Sequence, residues 1–377
     1  MDNLTQHITY LQQTASQLLQ GCQVRAADGT TLYTPDGRGN YAALWTRDFA
    51  YMVEYTADLM PPEHIEACIR YLMRGQREDG AVPDRVRPDG VPVYVAGPEN
   101  APVGEPNLDN PMFLVIACDA YLKRVAPHRR KALFAEWSPA LDKGLGWVPR
   151  SPRGLVYNPP EKPHSPYGFT DTVGKTGELL MESLLYWRAC RRMANLHQHN
   201  GDQRRAQEYL ARAQHVEQGL PTLWDEKAGA FLAASVDCRQ VDIWGNAYAL
   251  AIGFPLGKRR SAVQQTLVRR YEDYMWKGQV RHLFRGEYWQ RLLTPVPRDR
   301  YQNGAYWATA SGWVMQAIYP VNPSLAERTF EELIADFQQN GVYECVHPEY
   351  RQLETYVVSA CNPLGAARAL WGRRAGR

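Results

Sequence analysis

The chain has 377 residues, 45% of them hydrophobic, enough to bury a large core, and length alone admits two or three domains. Its 43 basic and 40 acidic residues leave a net charge of +3 with no run of like sign, which excludes the electrostatic footprint of a nucleic-acid or anionic-membrane binder. The seven cysteines are scattered and never form a Cys-x-x-Cys pair, so neither a disulfide frame nor a zinc site is expected.

Apolar residues recur at three- and four-residue spacing over 2–20, 45–60, 62–75, 109–124, 127–143, 176–198, 201–219, 241–253, 258–274, 304–319, 323–339 and 356–371, which predicts twelve helices. The second, fourth, sixth, eighth and tenth pass to the next helix through tight links: Pro61-Pro62, Ala126, Asn200-Gly201, Pro255 to Gly257 and Pro320 to Asn322. The other connections are long. In an antiparallel ring of helices, successive connections fall on opposite ends, so all the long loops open on one rim. The pattern predicts an all-α fold, an (α/α)6 toroid of six hairpins, as a single domain over 1–377. Pro83 to Pro111, rich in Pro, Gly, Asp and Asn, is read as a rim loop because helical patterning resumes directly after it. Met1 to His7 does not read as a signal peptide, and no apolar stretch nears the roughly 18 residues of a membrane span. A cytoplasmic protein without a membrane partner is expected.

The long loops carry the unusual residues. Trp45-Thr46-Arg47-Asp48 precedes the second helix and Asn107-Leu108-Asp109-Asn110-Pro111 the fourth. Tyr167-Gly168-Phe169-Thr170-Asp171-Thr172-Val173-Gly174-Lys175 precedes the sixth, and Val241-Asp242-Ile243-Trp244-Gly245-Asn246 opens the eighth. Tyr301-Gln302-Asn303-Gly304-Ala305-Tyr306-Trp307 and Tyr343-Glu344-Cys345-Val346-His347-Pro348-Glu349 precede the tenth and twelfth. If the even helices form the inner ring, all six clusters converge on one central pocket. Carboxyls, amides, a few cations and many aromatic faces suit glycoside hydrolysis: sugar hydroxyls take bidentate polar partners, pyranose faces stack on Trp or Tyr, and two carboxyls carry the reaction. Asp36-Gly37-Arg38-Gly39 lacks the Lys and Ser/Thr of a phosphate loop, and no His-Glu-x-x-His occurs. His164, His282 and His347 lack metal-ligand spacing, so neither metal nor cofactor is expected.

The set Trp-Thr-Arg-Asp, Gly-Phe-Thr-Asp-Thr, Val-Asp-Ile-Trp-Gly-Asn, Tyr-Gln-Asn-Gly-Ala-Tyr-Trp and Tyr-Glu-x-x-x-Pro-Glu resembles the six-hairpin glycosidases, in particular the branch of trehalases, processing α-glucosidase I and their small bacterial relatives. The resemblance runs from about residue 40 to 365 and is specific in order and spacing. It implies an inverting, exo-acting, α-glucosidase-like hydrolase that removes a terminal sugar from a small glycoside or oligosaccharide, with Asp171 as general acid and Glu344 as general base. Sugar contacts are then expected from Trp45, Arg47, Asp48, Asn110, Phe169, Lys175, Asp242, Trp244, Asn246, Gln302, Asn303, Tyr306, Trp307 and Glu349. Lys175, Arg85, Arg87 and Arg47 could meet a carboxylate on the leaving group, as in the small relatives that hydrolyse glycosylglycerates. Larger relatives carry a β-rich N-terminal domain, for which this chain has no room, so its own loops or a neighbouring subunit of a homo-oligomer could complete the pocket. Two other classes stay open: a sugar isomerase or epimerase, for which His282 and His347 are the only candidates, and a non-catalytic carbohydrate-binding toroid.

Overall fold

The computed structural model describes residues 3–372; residue 2, where the first helix was expected to begin, and 373–377 lie outside it. Twelve α-helices are found: α1 (Asn3–Gly21), α2 (Thr46–Thr56), α3 (Pro62–Arg74), α4 (Asn110–Leu122), α5 (Pro127–Trp147), α6 (Leu180–Asn200), α7 (Gln203–Gly219), α8 (Ile243–Ala251), α9 (Arg259–Arg269), α10 (Ser311–Ile318), α11 (Pro323–Asn340) and α12 (Val358–Trp371). Each even helix packs on the next even helix, and α12 returns to α2, so the inner ring closes. The fold is an (α/α)6 toroid.

Burial separates the two rings. Every residue of α4 except Ala120 is buried, and in α10 all but Gln316 are, because an inner helix has protein on every side. The outer α3 buries one face, Ile65, Cys68, Ile69, Tyr71 and Leu72, and α11 likewise buries one face that includes Ala326, Phe330, Leu333 and Phe337. Local chemistry sets the ends. Prolines open α3, α5 and α11, where their missing N–H costs nothing; Asp202 and Asn322 cap α7 and α11 by accepting from Arg205 N at 3.0 Å and Leu325 N at 3.1 Å. Gly201, at φ 90°, ends α6.

The long loops carry short antiparallel strands, among them the hairpin Tyr343–His347 with Tyr350–Glu354, in register Tyr343 to Glu354. Two helices begin four or more residues later than their periodicity suggests. The tenth was expected from 304 but starts at Ser311: main-chain bonds of Trp307 with Val280, 3.0 Å in both directions, and of Tyr306 with Val346, 2.8 Å in both directions, hold that stretch extended. The sixth starts at Leu180 instead of 176 because Gly177 and Glu178 pair with Tyr157 and Asn158.

Candidate active site

On the long-loop rim a cavity of about 750 Å³ opens into the toroid. Five of the six long loops line it: Tyr41, Trp45, Arg47 and Asp48 from the entry to α2, Arg85, Arg87 and Glu99 before α4, Phe169 and Asp171 before α6, Tyr301 before α10, and Glu344 and Tyr356 before α12. Asp171 follows a 3-10 turn, Gly168–Thr170, and its Oδ1 accepts from Gln302 Nε2 at 2.7 Å. Gln302 also donates to Gly168 O at 3.2 Å and accepts from Thr172 N at 2.9 Å and Thr172 Oγ1 at 2.7 Å. One amide thus fixes the whole acid loop from beneath. Glu344 sits on the first strand of the C-terminal hairpin; its Oε1 accepts from Tyr41 Oη at 2.8 Å and from Tyr301 Oη at 3.5 Å, and its Oε2 from Gln352 Nε2 at 3.5 Å. Tyr301 is held at φ 44°, a conformation that a non-glycine residue adopts only under constraint, and its N–H donates to Tyr350 Oη at 2.8 Å.

Burial dominates the electrostatics. It pushes Asp171 up to about 7; Arg47 and the Gln302 hydrogen bond oppose the rise, and Asp84 and Asp48 add to it. Glu344 is pushed up to about 8 by burial, with the Tyr41 hydrogen bond opposing and Asp48 and Asp171 adding like charge. Asp48, which accepts from Tyr356 Oη at 2.5 Å, rises to about 6, again through burial. Two carboxyls that sense one another titrate as a pair, and near neutral pH this pair holds close to one proton.

Arg47 lies in the floor. Its Nη1 donates to Asp84 at 2.7 Å and to Asn110 Oδ1 at 3.4 Å, and Asp109, Asp48 and Asp171 also face its charge. Gly168 permits this: a Cβ built there would overlap the Arg47 guanidinium. Gly168→Ala is therefore expected to destabilise the fold by about 1–3 kcal/mol through overpacking and to lower activity more than tenfold. Urea unfolding and steady-state kinetics check this, and a variant matching wild type in both would mean that Arg47 is not wedged there.

Several expected sugar contacts do not reach the cavity. Lys175 is buried in an ion pair with Glu182 at 2.8 Å, and its charge acts on Asp242 and His282 instead of Asp171. Trp244 is fully buried, stacked on His282 with ring centroids 3.9 Å apart and tilted against Phe169 at 5.9 Å, one layer below the lining. Asp242 is buried beside it. Asn246 is engaged with the main chain of Phe231, at 2.9 Å to N and 2.8 Å to O, so the loop before α8 serves the layer beneath the pocket. Asn303 binds Trp289 N and Val296 O at 3.0 Å each. Tyr306 and Trp307 are buried, their main chains tied into the loop pairings described above. Asn110 and Gln302 act on Arg47 and Asp171 from behind. Glu349 lies at the exposed turn of the C-terminal hairpin, 3.8 Å from Arg300.

Sequence reasoning missed Tyr41, Asp84, Tyr301 and Tyr356 as parts of the site. Asp84 adjoins Arg85, which was singled out only as a partner for a leaving-group carboxylate, and Tyr301 stands one residue before the Gln302 that was chosen. Nothing in the sequence marks Tyr41 or Tyr356 as facing Glu344 or Asp48. Among the described residues no group of three or more His, Cys, Asp or Glu side chains is placed to hold a metal ion, all seven cysteines are buried and free, and no helix is long and apolar enough to cross a membrane.

The closed double ring with its loop-lined cavity defines an (α/α)6 toroid, and solved structures share that fold. A GH63 mannosylglycerate hydrolase from Thermus thermophilus, solved with glucose and also with Tris and D-glycerate, is 18% identical over 94% of this chain and 99% of that one, with a TM-score of 0.66. A rhamnosidase from Klebsiella oxytoca with rhamnose bound is 12% identical over 97% of this chain and 64% of that one, with a TM-score of 0.69. A glucoamylase from Saccharomycopsis fibuligera is 13% identical over 99% and 96%, with a TM-score of 0.64. At these identities the likeness speaks for the fold. No family model matches the chain, and no curated protein sequence is significantly similar to it.

Proposed function

We propose that the protein is an inverting glycoside hydrolase that removes a terminal sugar, with α-glucosides as the first substrates to try, Asp171 as general acid and Glu344 as general base. The observation that carries this reading is a pair of carboxyls, Glu344 buried and Asp171 half-buried, both raised and opening on one cavity. The higher value leaves the resting proton more often on Glu344, and three donors at Glu344 against one at Asp171 ease its ionisation when that proton passes to Asp171. A glycosidic oxygen arriving at Asp171 accepts a hydrogen bond from its carboxyl and draws the shared proton there. As the bond to the anomeric carbon breaks, Asp171 protonates the leaving oxygen, and Glu344 takes a proton from the water that attacks the opposite face. Tyr41, Trp45 and Phe169 offer faces for the sugar, and its hydroxyls find Asp48 and the lining arginines. The glycoside-hydrolase neighbours of the same fold support the class of reaction.

An isomerase that works through paired histidines gains nothing here. His282 is sealed beneath Trp244, its pKa held well below the ordinary value by burial, and His347 stacks on Tyr350 away from the lining. The test is a panel of aryl glycosides and natural disaccharides, followed by proton NMR. Release of a sugar whose first-formed anomer is opposite to that of the substrate is the expected result; retention of configuration, or no cleavage across the panel, would overturn it.

A further inference from the structure

Resting on the reading of this cavity as a glycosidase site, we infer that the substrate is uncharged, with no carboxylate or phosphate on either the sugar or its leaving group. Three guanidinium groups line the cavity and each is already engaged. Arg47 is paired with Asp84 at 2.7 Å. Arg85 takes the second oxygen of the same carboxylate at 3.0 Å, spends other donors on the carbonyls of Val95 at 3.3 Å and Gly97 at 2.9 Å, and covers the Trp45 ring from 4.7 Å. Arg87, at the mouth, is shared between Asp89 and Glu99, the latter at 3.2 Å. Lys175, the fourth cation suggested by the sequence, is absent from the lining and neutralised by Glu182.

Facing these three cations are four carboxyls, those of Asp48, Glu99, Asp171 and Glu344, so even with one proton on the Asp171–Glu344 pair the wall carries no excess of positive charge, and Asp84 and Asp109 stand behind it. An anionic group that took over the ion pair of a guanidinium would draw it from a carboxylate, for Arg47 and Arg85 the fully buried Asp84. Stranding a buried carboxylate is expensive, and the remaining acids repel the newcomer. A neutral polyol demands no such exchange. Its hydroxyls donate to the carboxylates while its apolar face meets Tyr41, Trp45 and Phe169.

The experiment uses matched pairs on the wild-type chain: glycerol against glycerate glycosides of glucose, mannose and rhamnose for the leaving-group side, and methyl glucoside against methyl glucuronide for the sugar side. Calorimetric binding is read together with kcat/KM, so charge preference is measured whether or not the bond is cleaved. The neutral member is expected to be favoured roughly tenfold or more in any pair that binds. In Glu99→Gln, which frees one side of Arg87, the gap on the leaving-group pairs should shrink. Equal or stronger binding of the anionic member overturns the inference, as does a gap that Glu99→Gln leaves unchanged. Preferential binding of the neutral member without hydrolysis would support the inference and count against the reaction proposed above. Failure of every compound to bind would overturn both.

Discussion

Replacing Glu344 with Gln is expected to lower turnover roughly 10²–10⁴-fold while the toroid stays folded. The amide matches the carboxylate in volume and keeps an oxygen for the Tyr41 hydroxyl, but it takes no proton from water. Stability should respond with a definite sign. The Glu344 carboxyl has a folded value near 8 against an ordinary 4.5, so the fold binds its proton more tightly than the unfolded chain does. That contribution is complete below about 4.5 and is lost as pH climbs through 8; Gln never carries the buried charge. The melting temperature of the variant should therefore equal that of wild type at pH 5 and exceed it at pH 9. Kinetics and thermal melts at pH 5, 7 and 9 measure both effects. Near-native turnover would sink the assignment and pass the role to Asp48, the next carboxyl on the cavity floor, and not to Glu349, whose side chain is 72% exposed at a hairpin turn.

Asp171→Asn should separate substrates by their leaving groups. Alkyl and sugar alcohols depart only when protonated, so their cleavage is expected to fall by roughly 10²–10⁴-fold, while glycosyl fluorides and nitrophenyl glycosides, which depart unaided, should lose far less. The pH dependence follows from the pair. The productive form has a proton on Asp171 and none on Glu344; below about 7 both carboxyls are protonated, and above about 8 neither is. Wild-type kcat/KM should trace a narrow bell between these values, falling on its alkaline side as the acid is lost. On activated substrates that alkaline limb should vanish in Asp171→Asn, leaving a single rise set by the Glu344 value of about 8. Equal losses on both kinds of substrate would assign Asp171 a structural role. Glu178 does not replace it, because it is tied to Arg153 at 2.9 Å and does not line the cavity.

Much of the architecture was legible because a helix buried on one side writes its stripe into the sequence. α3 and α11 do so at spacings of three and four, and the alternation of short links with long loops then dictates that all long loops share a rim. The inner helices are legible for a different reason: a segment such as Met112–Cys118 is apolar throughout because it has no solvent side. Where strand-like pairing competed, the same periodicity misled, as at 304–310, whose apolar residues belong to loop pairings with Val280 and Val346.

The site divides along the same line. That Asp171 and Glu344 stand among aromatics and amides can be read from their neighbours in the chain, since each motif is local and the topology sends each to the rim. Which atoms face the cavity cannot. Lys175, Trp244 and Glu349 occupy motifs as suggestive as any other, yet an ion pair with Glu182, a stack on His282 and an exposed hairpin turn remove them from it. Tyr41, 303 residues from Glu344 in the chain, meets it at 2.8 Å, and Tyr356, 308 residues from Asp48, meets it at 2.5 Å. Periodicity and loop length thus determined the double ring and the rim where chemistry belongs. The raised carboxyls and the meeting of Glu344 and Tyr356 with Tyr41 and Asp48 were decided only by the tertiary structure, which closes α12 onto α2, because burial and Coulomb energy depend on distances in space that the order of residues along the chain does not contain.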